Sequence, residues 1–372
     1  MRFEVATTRS DFDRWLALTD LLYPTNHFVP PIRQHLVALF ERYRLGADAI
    51  RFCFVLDGSR EVVARTTLHS EARIDQKLRQ RVQLFGFTEF VNQYDVFRFL
   101  MDEVASHGRR NDRRLILGPA NLLPNEYGGV ITSNFHQPSF IDAAYNYAYY
   151  PEYYQRYGFL PRFDSSTFIC DAIDASELDP DLVFPFDNDR LKAEHLEIRY
   201  GDRKQFKDQV CALHEMLNAS FACLDYYTQI ALEELWARVE GLAYLLDEQL
   251  LLYLVRDGRP VAFIVCMPDI SPFITRVRGD MHWLSLLRLW LRRRRFRREA
   301  ILLIKGTVPS MRGKGYMTLL SRELLRNLRS RGYNTLRSTS IERSNPISAV
   351  QLLRMRGRVL HDISYYQLAI GS

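Results

Sequence analysis

Residues 305–331 read KGTVPSMRGKGYMTLLSRELLRNLRSR and carry the strongest local signal in the chain. They continue an apolar run, Ile301, Leu302, Leu303 and Ile304, of the kind that forms a buried strand. Val308 and Pro309 end that strand. Arg312, Gly313, Lys314 and Gly315 then open a helix whose apolar residues, Met317, Leu319, Leu320, Leu324, Leu325 and Leu328, recur at helical spacing. A glycine-rich turn between a strand and a helix N-terminus predicts an anion site. The glycines let the main chain approach a ligand closely, and the first helical amides have no partner inside the helix. Arg312 and Lys314 add positive charge, so the expected ligand is a phosphate or pyrophosphate. The GxxxxGK[ST] loop of nucleoside-triphosphate sites and the GxGxxG turn of dinucleotide folds are both absent from this stretch.

The chain around it is that of an ordinary globular protein. It has 372 residues, 47% hydrophobic and 25% charged, enough for two domains with a core each. The net charge of +6 is modest, and much of it lies in one run at 292–298, RRRRFRR. The cysteines (Cys53, Cys170, Cys211, Cys223, Cys266) are widely spaced and fit no zinc pattern, so buried free thiols and no metal are expected. The first residues lack the apolar core of a signal peptide, and no apolar run is long enough to span a bilayer, so the expected location is cytoplasmic.

Outward from the loop, the two halves repeat one order of elements. In the first, strands are expected at 2–6, 51–56, 62–69, 82–87 and 114–118, with helices at 11–22, 34–43 and 94–107; Ser10 is the expected N-cap of the first helix. In the second, strands are expected at 196–200, 250–256, 262–267, 301–308 and 335–341, with helices at 204–220 and 316–330. Asp57 and Asp257 mark equivalent hairpins 200 positions apart, and Asn146 and Asn345 each precede a glycine, Gly158 and Gly357, by twelve. This is the pattern of an internal duplication. It predicts an α/β chain of two tandem mixed-sheet domains, 1–173 and 192–372, joined by an Asp- and Pro-rich linker at 174–191. The copies differ where the loop falls. The first has Thr88, Glu89, Phe90, Val91, Asn92 and Gln93, without glycine or basic residue, and Glu89 would repel a phosphate. The second domain is therefore expected to hold the anion and the first to act as scaffold.

The loop resembles the V-x-P-x-x-R-G-x-G element of the GNAT acyltransferases at Pro309, Arg312, Gly313 and Gly315, with Thr307 in the valine position and Met317 where Gly or Ala is usual. More of the chain resembles a bacterial tandem-GNAT group. The matching features are the double proline Pro30 and Pro31, the loop Gly118, Pro119, Asn121, Asn125, Glu126 and Gly128, the tyrosine-rich segment from Tyr145 and Asn146 to Gly158 and Phe159, and Met267, Pro268 and Asp269. Some proteins similar to this group are bacterial ceramide synthases. The resemblance implies two GNAT-like domains and acyl-CoA, or acyl carrier protein, as donor. It also implies a primary amine, long-chain or lipid-like, as acceptor. The thioester cofactor is expected on Thr307, Val308, Arg312, Gly313, Lys314, Gly315, Tyr316 and Met317.

Amine attack on a thioester needs orientation, deprotonation of an ammonium and a donor for the developing oxyanion. The resemblance places that donor among the amides of residues 307–309. Pro309 has none, which leaves Val308 or a neighbour. Glu342, just past a strand, is the candidate base. The helix that often carries a tyrosine acid in GNATs has Leu352 and Leu353 here, so Tyr365, Tyr366 and His361 on the last strand are the substitutes. Asn345 either contacts the pantetheine or caps the helix that follows. In the first half Asn121, Asn125 and Glu126 are candidate acceptor ligands or ordinary turn formers, and Tyr150 is a candidate pocket tyrosine. The run from Arg292 to Arg298 follows Trp283, Leu284, Leu286, Leu287, Leu289, Trp290 and Leu291. That combination suits an anionic membrane surface, an acidic carrier protein or the 3′-phosphate of CoA; nothing accompanies it that reads as nucleic-acid binding. Binding of acyl-CoA or lipid without catalysis, and O-acylation or thioester hydrolysis, stay open at this stage.

Overall fold

The computed structural model describes residues 1–23, 27–43, 50–122, 127–239, 247–296 and 298–371. The elements begin with β1 (Arg2–Val5), α1 (Arg9–Leu22), α2 (Arg33–Tyr43), β2 (Arg51–Leu56), β3 (Val62–His69), α3 (Ala72–Leu78) and β4 (Val82–Phe90). They continue with α4 (Tyr94–Arg110), β5 (Leu115–Gly118), β6 (Val130–Ile131), α5 (Tyr149–Tyr157), β7 (Leu160–Cys170), α6 (Pro180–Val183) and α7 (Asp189–Ala193). Next come β8 (Leu196–Tyr200), α8 (Phe206–Phe221), α9 (Leu232–Val239), β9 (Leu251–Arg256), β10 (Arg259–Pro268), α10 (Ser271–Arg276) and α11 (Trp283–Arg292). The last are β11 (Glu299–Thr307), α12 (Tyr316–Ser330), β12 (Thr335–Glu342), α13 (Val350–Arg354) and β13 (Arg358–Ala369). Helix α1 starts two residues earlier than a Ser10 cap would set it, with Thr8 as its N-cap. Thr8 accepts from the Asp11 amide while Asp11 accepts from the Thr8 amide, a reciprocal box; Asp13, the acid that would complete the same box for Ser10, is instead paired with Arg9 at 3.3 Å.

Residues 1–165, 271–285 and 361–372 form one compact unit, and residues 166–270 and 286–360 form another. In the first unit the strands run β1-β2-β3-β4-β5 and then the end of β13. Pairing is antiparallel as far as β4 and parallel from β4 to β5, where Val82, Gln83 and Leu84 face Leu115, Ile116 and Leu117. Strand alternation divides the core between two faces. Cys53 and Val55 of β2 pack with Phe97, Leu100 and Met101 of α4. Phe52, Phe54 and Leu56 pack with Phe12 and Trp15 of α1 and Phe40 of α2.

The second unit repeats this plan. Its strands run β8-β9-β10-β11-β12, followed by the end of β7. The pairing is antiparallel as far as β11 and parallel from β11 to β12, where residues 299–302 face 335–338. Leu252 and Leu254 of β9 pack on Leu320, Leu324 and Leu328 of α12. Leu251 and Tyr253 pack on Val210, Leu213 and Leu217 of α8. Burial of each such aliphatic side chain stabilises the unit by roughly 1.5–3 kcal/mol.

The repeated order is therefore real at the level of topology, and the two edges of each unit are informative. The strand beside β5 is supplied by the end of the chain: Tyr366, Gln367, Leu368 and Ala369 face Gly118, Leu117, Ile116 and Leu115. The strand beside β12 is supplied by β7, which begins in the first half. The stretch 174–191, expected as a linker, lies within the second unit. Val183, Phe184, Phe186 and Leu191 pack on that unit's core. Arg322 donates to the Phe186 carbonyl at 3.0 Å and Arg329 to the Leu178 carbonyl at 2.8 Å. Apolar residues spaced between the Asp and Pro residues, and three arginines on α12 seeking acceptors, convert a linker-like composition into a packed strap.

Candidate functional site

The site grows out of a defect in β11. Its register against β10 shifts between Cys266 opposite Leu302 and Val265 opposite Ile304, which leaves Leu303 as an extra residue. A bulge of this kind bends and twists a strand. Beyond it β11 stays with β10, while its parallel pairing with β12 stops at Leu302 and Ser338. Thr339 on β12 donates its hydroxyl to the Leu303 carbonyl at 2.6 Å, which satisfies the bulged peptide. The two strands part from there. The Val308 amide donates to the Val261 carbonyl at 3.0 Å, so it is used inside the sheet. Alternation along an antiparallel ladder then turns the amides of Thr307 and Lys305 to the opposite edge, into the gap. Of the amides expected to offer an oxyanion donor, Val308's is therefore used in the sheet and Thr307's faces the gap.

The turn after β11 is built for an anion. Pro309–Met311 form one 3-10 turn, and Gly313 and Gly315 both have φ +78°, a left-handed angle that favours glycine. Residues 312–315 are exposed. Among the described residues, no backbone acceptor meets the amides of Gly313, Lys314, Gly315, Tyr316 or Met317; the first helical bond is from Thr318 to Gly315. Five successive free amides at a helix start present a concave positive surface. Neighbouring groups lock it. Arg190 of α7 donates to the Lys314 carbonyl at 2.9 Å and to Glu194 at 2.6 Å. The Tyr316 hydroxyl donates to Glu194 at 2.6 Å and accepts from Arg256 at 3.1 Å. Tyr316 is thus a buried brace that offers only its amide to the turn. Met317 packs at the edge of the core. Arg312 donates to the Ser220 carbonyl in the last turn of α8 at 2.6 Å, tying the turn to that helix.

Further residues of the second unit stand near the parted strands. Glu342 ends β12; burial raises its carboxyl pKa, the Ser344 hydrogen bond opposes that rise, and the charge of Asp225 adds to it. That places Glu342 closer to the proton affinity a general base needs at neutral pH. Asn345 precedes the 3-10 helix Pro346–Ala349 but makes no side-chain cap, so the capping alternative is not realised. Lys305, which the sequence reading passed over, donates its ammonium to the Gln351 side chain at 2.7 Å, and burial lowers its pKa to about 7. A lone lysine after four aliphatic strand residues was the available signal.

The equivalent place in the first unit is closed. β4 also bulges, between Gly86 and Glu89, and its parallel pairing with β5 ends at Leu84 and Leu117. Here the chain after β5 folds back into the opening. The Ala120 amide donates to the Phe85 carbonyl at 2.6 Å, and the Asn121 side chain accepts from the Phe87 amide at 2.7 Å. A Cβ on Gly86 would stand 2.1 Å from the Ala120 carbonyl oxygen. Asn121 therefore spends its carbonyl sealing the cleft. Asn125 and Glu126 lie outside the described residues.

Beside that seal the first unit has a cavity with about 590 Å³ of open space, its mouth included. Phe28, Phe87, Tyr127, Tyr145 and Tyr150 wall it, with Arg65 and Glu89 at its base. Those two charges are register partners across β3 and β4 and are 2% and 9% exposed. Glu89 accepts from the hydroxyls of Tyr23 at 2.6 Å and Tyr150 at 2.7 Å. Burial raises its pKa and the Arg65 charge opposes the rise. Arg65 lies over the Trp15 ring at 4.0 Å and donates to the Trp15 carbonyl. Tyr366 and His361 also belong to the first unit. Tyr366 is fully buried and stacked on Tyr154 with ring centroids 4.7 Å apart. His361 is fully buried, shares a hydrogen bond with the Gln137 carbonyl at 3.2 Å, and has its pKa lowered by burial. Both are core residues of that unit, whereas the free-amide turn belongs to the second.

No protein-family model matches the chain. It is 22% identical over 288 residues to protein YghO of Escherichia coli K12, covering 75% of this chain and 72% of that one. Among solved structures it is similar to a tandem GNAT protein from the clavulanic acid biosynthesis pathway, with a TM-score of 0.58 and 12% identity over 100% of this chain and 99% of that one. It is also similar to a GCN5-related N-acetyltransferase from Sphaerobacter thermophilus, with a TM-score of 0.53 and 12% identity over 91% and 86% of the two chains. At these identities the likeness is one of fold, and the fold is the tandem GNAT fold.

Proposed function

We propose that this tandem GNAT fold performs acyl-CoA-dependent N-acylation of a primary amine. The observation that carries the proposal is the row of five unpaired amides at residues 313–317, reached through a bulged strand that has left its parallel neighbour. The row suits the diphosphate of coenzyme A, with Lys314 and Arg312 supplying charge; an acyl carrier protein would present a phosphopantetheine to the same turn. The Thr307 amide is the donor for the thioester oxygen. Glu342 is the group that takes the acceptor's proton. The amine nitrogen bonds to the acyl carbon, the carbon–sulfur bond breaks, and the thiolate leaves.

The first unit supports acceptor recognition. A carboxylate held by two tyrosine hydroxyls at the base of an aromatic-walled cavity suits an ammonium group on an apolar arm. That is consistent with a long-chain amine and with Tyr150 as a residue of the acceptor site. No described helix is long and apolar enough to cross a membrane, and we place the enzyme in the cytoplasm.

The test has two arms. Titration calorimetry with coenzyme A is expected to show saturable binding that Arg312→Glu combined with Gly313→Asp abolishes. Unchanged affinity in a folded double variant would remove the assignment of the turn. Thiol release with acyl-CoA and a panel of amines, followed by product mass spectrometry, is expected to yield an amide. Tight CoA binding with no thiol release for any amine would reduce the protein to a binder.

A further inference from the structure

Helix α11 turns an apolar face away from the protein. Trp283, Trp290 and Leu291 are 70%, 51% and 67% exposed, and Leu284, Leu286 and Leu287 are exposed as well. Ser285 and Leu289 are buried, at 2% and 1%. At about 100° per residue these six large side chains fall on one arc of about 160°, with Ser285 and Leu289 opposite. The arc therefore points outward, the reverse of an ordinary surface helix, which buries its apolar stripe. The helix is nonetheless well started: the His282 Nδ1 accepts from the amides of Leu284 and Ser285 at 3.2 and 3.3 Å.

Charge identifies what covers this face. Between residues 281 and 298 the sequence holds seven arginines and no acidic residue, against a net charge of +6 for the whole chain. Arg288 borders the arc and Arg292 closes the helix; both are exposed, as are Arg295 and Arg298 beyond it. Ten residues make about 15 Å of helix, half of what crosses a bilayer. We propose that α11 is an in-plane membrane anchor. Its Trp and Leu side chains enter the headgroup boundary of an anionic phospholipid surface, and the bordering and following arginines meet the lipid phosphates. Trp283 and Trp290, near the two ends of the helix and close to the middle of the arc, suit the apolar–polar boundary in which such a helix lies. The proposal stands on α11 alone and does not depend on the acyl-transfer reading.

Full-length protein is mixed with vesicles of phosphatidylcholine alone, or of phosphatidylcholine with phosphatidylglycerol, and sedimented. The anionic vesicles are expected to capture the protein, with a blue shift of tryptophan emission and release by salt. Trp283→Ser combined with Trp290→Ser is expected to weaken capture at least about tenfold while leaving coenzyme A titration and the thermal transition unchanged. Equal capture by both vesicle types, or capture unaffected by the double variant, overturns the proposal. Dimers that the double variant disperses, with no vesicle capture by the parent protein, would overturn it too, by assigning the face to a second copy of the chain.

Discussion

Lys305 is held in a strand whose preceding residues are aliphatic, with its ammonium against a neutral amide. Burial disfavours the charged form, so its pKa falls from 10.5 to about 7. Between those values the unfolded chain holds a proton that the folded one has lost, so stability rises as pH is raised from about 7 to about 10.5. Below about 7 both states are protonated and the cost of the buried charge is fully present. Lys305→Met is therefore expected to raise the melting temperature at pH 6.5 by about 2–4 °C, and to confer nothing near pH 10.5. An equal effect at both pH values would show that the gain has another origin. Glu89 is a related case: it was read as a residue that keeps phosphate out, and the structure makes it a buried acceptor for two tyrosines. Both roles depend on what surrounds the charge. A sequence shows only that a charge interrupts an apolar run.

At the scale of the element, the same device appears twice with opposite outcomes. β4 and β11 each run beside a parallel strand, bulge and diverge. In the second unit the gap faces a turn of free amides. In the first it is occupied by residues 119–121, with Asn121 holding the Phe87 amide. Asn121→Ala leaves that buried amide unpaired, at a cost of about 1–3 kcal/mol. Denaturant melts should show this loss, while calorimetry shows coenzyme A affinity unchanged because the free-amide turn belongs to the other unit. A fall in affinity matching the fall in stability would contradict that division of labour. In the sequence, Asn121 beside Gly118 and Pro119 reads equally well as an acceptor ligand or a turn former. The 2.7 Å contact gives its carbonyl the sealing role, and the residue also lines the cavity beside the seal.

For the whole molecule, the two edge strands set the folding units. The first unit takes the strand beside β5 from residues 366–369, and the second takes the strand beside β12 from β7. A cut at 174–191 therefore removes a strand from the first unit and parts β12 from its neighbour. Fragments 1–173 and 192–372, expressed alone, are expected to be insoluble or to melt without cooperativity, and to regain a cooperative transition when co-expressed. A fragment 192–372 that is soluble and melts cooperatively by itself would refute this. Tyr366 and His361 show the same lesson at the site. Late in the sequence, they were read as partners of a late loop, yet β13 carries them into the core of the first unit.

Local features were readable from the chain alone: the glycine turn at Gly313 and Gly315, the repeated order of elements, the apolar-then-basic composition of residues 283–298. Each depends on backbone freedom, periodicity or charge density over a few residues, which short-range sequence encodes. Which amide is free, Thr307 in place of Val308, depends on the ladder partner Val261. Whether a cleft is open or filled depends on where the segment after β5 returns. Which unit owns the last strand depends on pairing between residues about 250 positions apart. Contacts at that separation are settled by the packing of the whole chain, and the tertiary structure alone decided them.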